Sequence, residues 1–149
     1  MKPRSERLEV VLSLEQRRED QALDGLNRAR QHMQQQQHQL DELRRYQADY
    51  RDQMRRGQQG VVSVTKLQGW QAFIAQLDQA IVSQEQQVRK AVEAFEKARD
   101  VWREAYERRK GMARHIEACR AQEQRQQDLR DQKQADEAAN RMHARRRLT

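Results

Sequence analysis

A single cysteine, a single proline, five glycines and two phenylalanines are spread over 149 residues. Lone Cys119 rules out an intramolecular disulfide framework. With so little proline and glycine, nothing breaks long stretches of helix. Aromatic residues make up 5% of the chain, too few to fill a globular core of this length. No apolar run approaches the roughly 20 residues that span a bilayer, and residues 1–20 carry charge throughout, so neither a membrane span nor a secretory signal is expected. Charge of one sign is also missing: 30 basic residues stand against 23 acidic ones, for a net charge of +7. Mixed signs at this density describe a solvated helix surface. No aromatic-basic platform accompanies the basic excess, and nucleic acid is not an expected partner.

Catalytic chemistry is absent in the same way. His32, His38, His115 and His143 are scattered, and there is no phosphate-binding glycine loop, no serine elbow and no paired-cysteine spacing. His38 beside Asp41 and Glu42 has the residue types of a metal site, but a solvated charged face is the simpler reading. The chain reads as non-enzymatic, with no cofactor and no metal.

What is present is a seam. From Leu67, apolar residues recur at steps of three and four: Trp70, Ile74, Leu77, Ile81, then Val88, Ala91, Phe95, Ala98, Trp102, Ala105, Met112, Ile116 and Cys119. Only Gln84 and Arg109 interrupt it with polar side chains. A weaker seam runs from Leu8 through Leu12, Glu15, Glu19, Ala22, Leu26, Ala29, Met33, Gln36, Leu40, Leu43, Gln47 and Tyr50 to Met54. Two seams of period 3.5 define a coiled coil. Between them fall Gly57, Gly60, Ser63 and Thr65, residues suited to ending one helix and capping the next. Thr65 with Gln68 also matches a capping box.

A short link makes the two helices antiparallel. The expectation is an all-α, antiparallel two-helix coiled-coil hairpin forming one unit over 1–149, with helix 1 over about 5–56 and a link at 57–64. Helix 2 is expected over about 65–142, paired to 119, with a basic tail at 143–149. Setting Met54 opposite Trp70 makes facing residue numbers sum to 124 throughout. Ala22 then meets Trp102 and Ala29 meets Phe95, large against small as packing requires. Glu15 meets Arg109, and Ser5 meets Cys119 at the end of the seam. Beyond it helix 2 overhangs its partner, polar on every face, for a total length of about 120 Å.

One flank departs from the usual charged pattern. Tyr46 and Phe73 occupy heptad positions g, beside Leu43, Tyr50 and Leu77 and continued by Gln39 and Ala80. Apolar surface with a polar rim marks a partner site, whereas the plainer reading folds these side chains over the seam.

Four segments carry a family resemblance. They are Leu43-Arg-Arg-Tyr46-Gln-Ala-Asp-Tyr50-Arg, Trp70-Gln-Ala-Phe73-Ile74-Ala-Gln-Leu77, Val101-Trp102-Arg103-Glu104, and Asp131-Gln-Lys133-Gln-Ala-Asp136-Glu137-Ala-Ala-Asn-Arg141. In order and spacing the chain resembles the flagellar type III export protein FliJ family from end to end. The hairpin predicts a monomer, and the resemblance implies a stalk-like, cytoplasmic component of the flagellar export apparatus, peripherally associated with the inner membrane at the flagellar base. It implies as partners a hexameric export ATPase ring, the cytoplasmic part of the export gate, and export chaperones. Gln39, Leu43, Tyr46, Tyr50, Phe73, Leu77 and Ala80 would face the gate, while Lys133, Asp136, Glu137 and Arg141 of the overhang would enter the ring. The stalk of a virulence secretion system, or a generic coiled-coil scaffold, would share the shape.

Overall fold

The computed structural model describes residues 2–148 and consists of two helices, α1 (Arg4–Gly57) and α2 (Val64–Leu148), with no strand among the described residues. Every residue of both expected seams is buried or half-buried, while the intervening heptad positions are largely exposed. That includes Phe95 and Trp102, the aromatics expected to pack inward against alanines. The apolar stripe of each helix is too narrow to be satisfied alone, and pairing the stripes removes both from water.

The chain divides into two compact units. One comprises Gln21–Arg103 and contains the link; the other comprises Met1–Asp20 with Glu104–Thr149. In the first unit the core residues are Leu26, Leu40, Leu77, Ile81 and Ala91, each under a tenth exposed. Gln36 and Gln84 put polar groups in this seam and satisfy one another. The Gln84 amide donates to the Gln36 backbone carbonyl at 3.0 Å and to its side-chain oxygen at 2.9 Å.

The link ends α1 without any left-handed residue, so neither Gly57 nor Gly60 acts as the positive-φ stop that their presence suggests. Gly57 has a steric role instead. A Cβ there would lie 3.0 Å from Cη2 of Trp70, a tight contact that glycine avoids. Ser63, not Thr65, caps α2. Its hydroxyl accepts the Lys66 N–H at 3.2 Å, because α2 begins at Val64 and Thr65 already lies inside the first turn.

In the second unit Ile116 is the most deeply buried side chain, at 2% exposure. Two expected pairings are corrected here. Arg109 binds Glu19 and not Glu15, with Nε 2.6 Å and Nη2 3.4 Å from its carboxylate oxygens. Ser5 meets Glu123 and not Cys119, which extends the pairing one turn beyond its expected end. The reason is common to both. Side chains on a helix lean toward its N-terminus, so a long residue of α2 reaches the level one turn before its own Cα. Both bonded pairs accordingly have residue numbers summing to 128, one turn above the facing value.

Past Glu123 every described residue is exposed, as an unpaired overhang requires. Helix nevertheless continues to Leu148, so residues 143–148 are helical where a basic tail was expected. Nothing in this stretch breaks a helix, and side chains one turn apart support it. The amides of Gln124 and Gln127 donate to the carboxylates of Asp128 and Asp131 at 2.9 and 3.0 Å. Arg145, Arg146 and Arg147 lie in the last turn, where cations oppose the helix dipole favourably.

Candidate functional site

The flank of residues Gln39 to Ala80 lies wholly within the unit Gln21–Arg103. The link brings the end of α1 beside the start of α2, and this places three aromatic rings together. Phe73 stacks at a tilt on Tyr50, with centroids 4.5 Å apart, and meets Tyr46 edge-on at 6.1 Å and 85°. Both arrangements suit the ring quadrupole. Tyr50 and Phe73 are half-buried by this packing, whereas Tyr46 remains 53% exposed. The cluster is therefore a packed, partly exposed apolar surface and not a set of side chains folded entirely into the seam.

Beside it, Gln39, Glu42, Leu43, Tyr46 and Gln84 line an open groove of about 370 Å³. Three of these residues belong to the expected patch. Glu42 and Gln84 do not, although Gln84 was visible as the polar break in the apolar run. Its amide, held by Gln36, forms part of the groove wall. Ala80 and Gln39 are exposed, while Leu77 is only 7% exposed and belongs to the core. Asp78 nearby accepts from the Gln47 amide and lies 3.5 Å from the Arg51 guanidinium.

Lys133, Asp136, Glu137 and Arg141 occupy the exposed overhang of α2 in the other unit. Their spacing puts Lys133 with Glu137 and Glu137 with Arg141 one turn apart, a pattern that supports an isolated helix. The surface they offer is charged, of both signs, and without a large apolar side chain.

His38, Asp41 and Glu42 are engaged locally. His38 Nε2 lies 2.9 Å from Glu42, one turn on, and Asp41 accepts from the Gln37 amide at 3.1 Å. Among the described residues no three His, Cys, Asp or Glu side chains converge to hold a metal ion. No helix among them is long and apolar enough to cross a membrane.

The ionisable groups with displaced pKa values both lie in the unit containing the chain termini. A hydrogen bond from Arg109 to Glu19 raises the guanidinium above its already high value, and the adjacent Glu19 charge adds to the effect. The Ser5 hydroxyl and then its backbone N–H hold the Glu123 carboxyl below its ordinary value, with Arg120 and Arg7 contributing.

Comparison with known protein families finds one described as flagellar FliJ protein, whose family model matches residues 4–148. No curated protein and no solved structure shows significant similarity to the chain.

Proposed function

Because the chain belongs to the flagellar FliJ protein family, and so is a protein of flagellar export, we propose that it acts as a stalk-like coiled coil linking the export ATPase ring to the export gate. The observation that carries this reading is the ring cluster of Tyr46, Tyr50 and Phe73 beside an open groove. A half-exposed tyrosine held by a packed phenylalanine presents apolar area with little side-chain entropy left to lose on binding. Gln39, Gln84 and Glu42 around it supply hydrogen-bonding groups that fix the orientation of a bound segment. A linker or groove of the gate's cytoplasmic part is the matching partner.

The overhang serves the ring. Lys133, Asp136, Glu137 and Arg141 offer charges of both signs that water solvates when unbound, so contacts with the bore form and release without a large burial of apolar surface. Such contacts suit a partner that cycles with ATP. Helix α2 contributes to both surfaces, which supports a role in passing changes at the ring to the gate. Handling of export chaperones, at the same station, completes the reading, and the protein works from the cytoplasmic face of the membrane.

The test is a calorimetric titration of the gate's cytoplasmic domain with Tyr46→Ala and Phe73→Ala variants. Leu77→Ala is a poor probe, since that side chain is buried in the core. The reading expects affinity to fall at least about tenfold, as for loss of an aromatic anchor, with helicity unchanged. Unchanged affinity in both variants removes the gate assignment. Stimulation of the ring's ATPase by wild-type protein, lost on truncation before Lys133, tests the other surface.

A further inference from the structure

Near the start of α1, within the unit that contains the termini, lies a cavity of about 560 Å³ that the proposed function does not use. Lys2, Arg4 and Arg7 line it from one side and Arg130 of α2 from the other. Among the described residues Glu123 is the one carboxylate in its wall, and both Glu123 oxygens are already engaged by Ser5. Four cations thus surround a space whose only acid is internally satisfied. Neither Arg4 nor Arg130 has an ion-pair partner among the described residues.

We propose that this basic cavity is a docking site for an acidic peptide segment of a protein partner. The attraction comes from side-chain charge and not from the end of the helix, because the Ser5 N–H that points there is taken by Glu123. Guanidinium groups pair bidentately with carboxylates, and two of them on opposite walls fit a short run of Glu or Asp. The amide of Gln126 in the same wall is suited to a peptide backbone. Two other polyanions fit less well. A bilayer is flat and the site is concave. A duplex needs a long cationic stripe, whereas Asp128, Asp131, Asp136 and Glu137 interrupt the basic residues that follow along α2. The inference goes beyond the ring-binding reading, since none of its residues belongs to that overhang set, and it stands if the ring assignment fails.

The experiment is fluorescence anisotropy with a labelled hexaglutamate peptide and the full chain, using a hexaglutamine peptide as the uncharged comparison. Saturable binding of the first and none of the second is expected. Arg4→Gln with Arg130→Gln is expected to weaken it by about tenfold or more, from the loss of two charged contacts. Arg89→Gln with Lys97→Gln removes the same charge from exposed positions elsewhere and is expected to change affinity by less than about twofold. All four side chains are exposed, so circular dichroism is expected to show unaltered helix in each variant. Equal losses in the two double variants overturn the proposal, as does absence of hexaglutamate binding. So does tighter binding of phosphatidylglycerol vesicles or duplex DNA that depends on Arg4 and Arg130.

Discussion

Ser5 on α1 donates twice to one carboxylate of α2: its hydroxyl to Glu123 Oε2 at 2.6 Å and its backbone N–H to Oε1 at 3.0 Å. The first turn of a helix always has N–H groups without intrahelical partners, and here one of them is capped by the other helix. Glu123 thereby closes the pairing of the two helices at the chain's beginning.

This latch is sensitive to acid. The Glu123 carboxyl is held below its ordinary value in the folded chain, so its contribution is present at neutral pH, above the unfolded value. It is lost as pH falls through the lowered folded value. The protection of the Ser5 amide, taken relative to its intrinsic exchange rate at each pH, is therefore expected to fall on acidification before that of the Ile116 region does. Glu123→Gln is expected to show low protection of the Ser5 amide with no such pH dependence, and a wild-type profile in that variant would falsify the latch.

The Glu19–Arg109 pair sits in the apolar seam, with side chains 17% and 28% exposed. Removing one partner leaves the other charge facing the seam alone. Glu19→Leu and Arg109→Leu are each expected to lower the melting temperature, and the double variant to recover beyond either single one. Thermal unfolding of the three variants measures the coupling, and strictly additive losses would show that the pair has none.

Deep positions should respond to volume. Ile116→Ala is expected to cost about 2–5 kcal/mol through lost burial and the cavity left behind. Val10, 67% exposed on the outer surface of α1, should tolerate alanine within about 0.5 kcal/mol. Denaturant unfolding of both variants distinguishes the two cases.

Glycines give a test that needs no binding partner. Gly25 and Gly111 lie inside the helices with nothing within 4 Å of an added Cβ, so alanine at either is expected to stabilise by about 0.5–1 kcal/mol. Gly57→Ala is expected to gain less or to destabilise, because the new methyl group meets Trp70 at 3.0 Å. An equal gain at all three positions, read from melting curves, would mean that the indole moves aside without cost.

The hairpin was legible because two seams of 3.5-residue period are joined by a short break at Gly57 to Ser63. The aromatic flank was legible for a related reason: Tyr46 and Phe73 occupy flanking positions where charge is usual. What the period could not say was how deep each would sit. Leu77 and Tyr46 were read as parts of one patch, yet one is core and the other half in water.

Heptad spacing settled which residues line the seams, and the short link between them settled that the two helices pair antiparallel, since both are properties of neighbours along the chain. Tertiary structure decided which polar groups meet: Glu19 instead of Glu15 for Arg109, Glu123 instead of Cys119 for Ser5, and the basic walls of the cavity near Arg4. Those choices depend on the lean and reach of long side chains across the interface, which no pattern along one chain records.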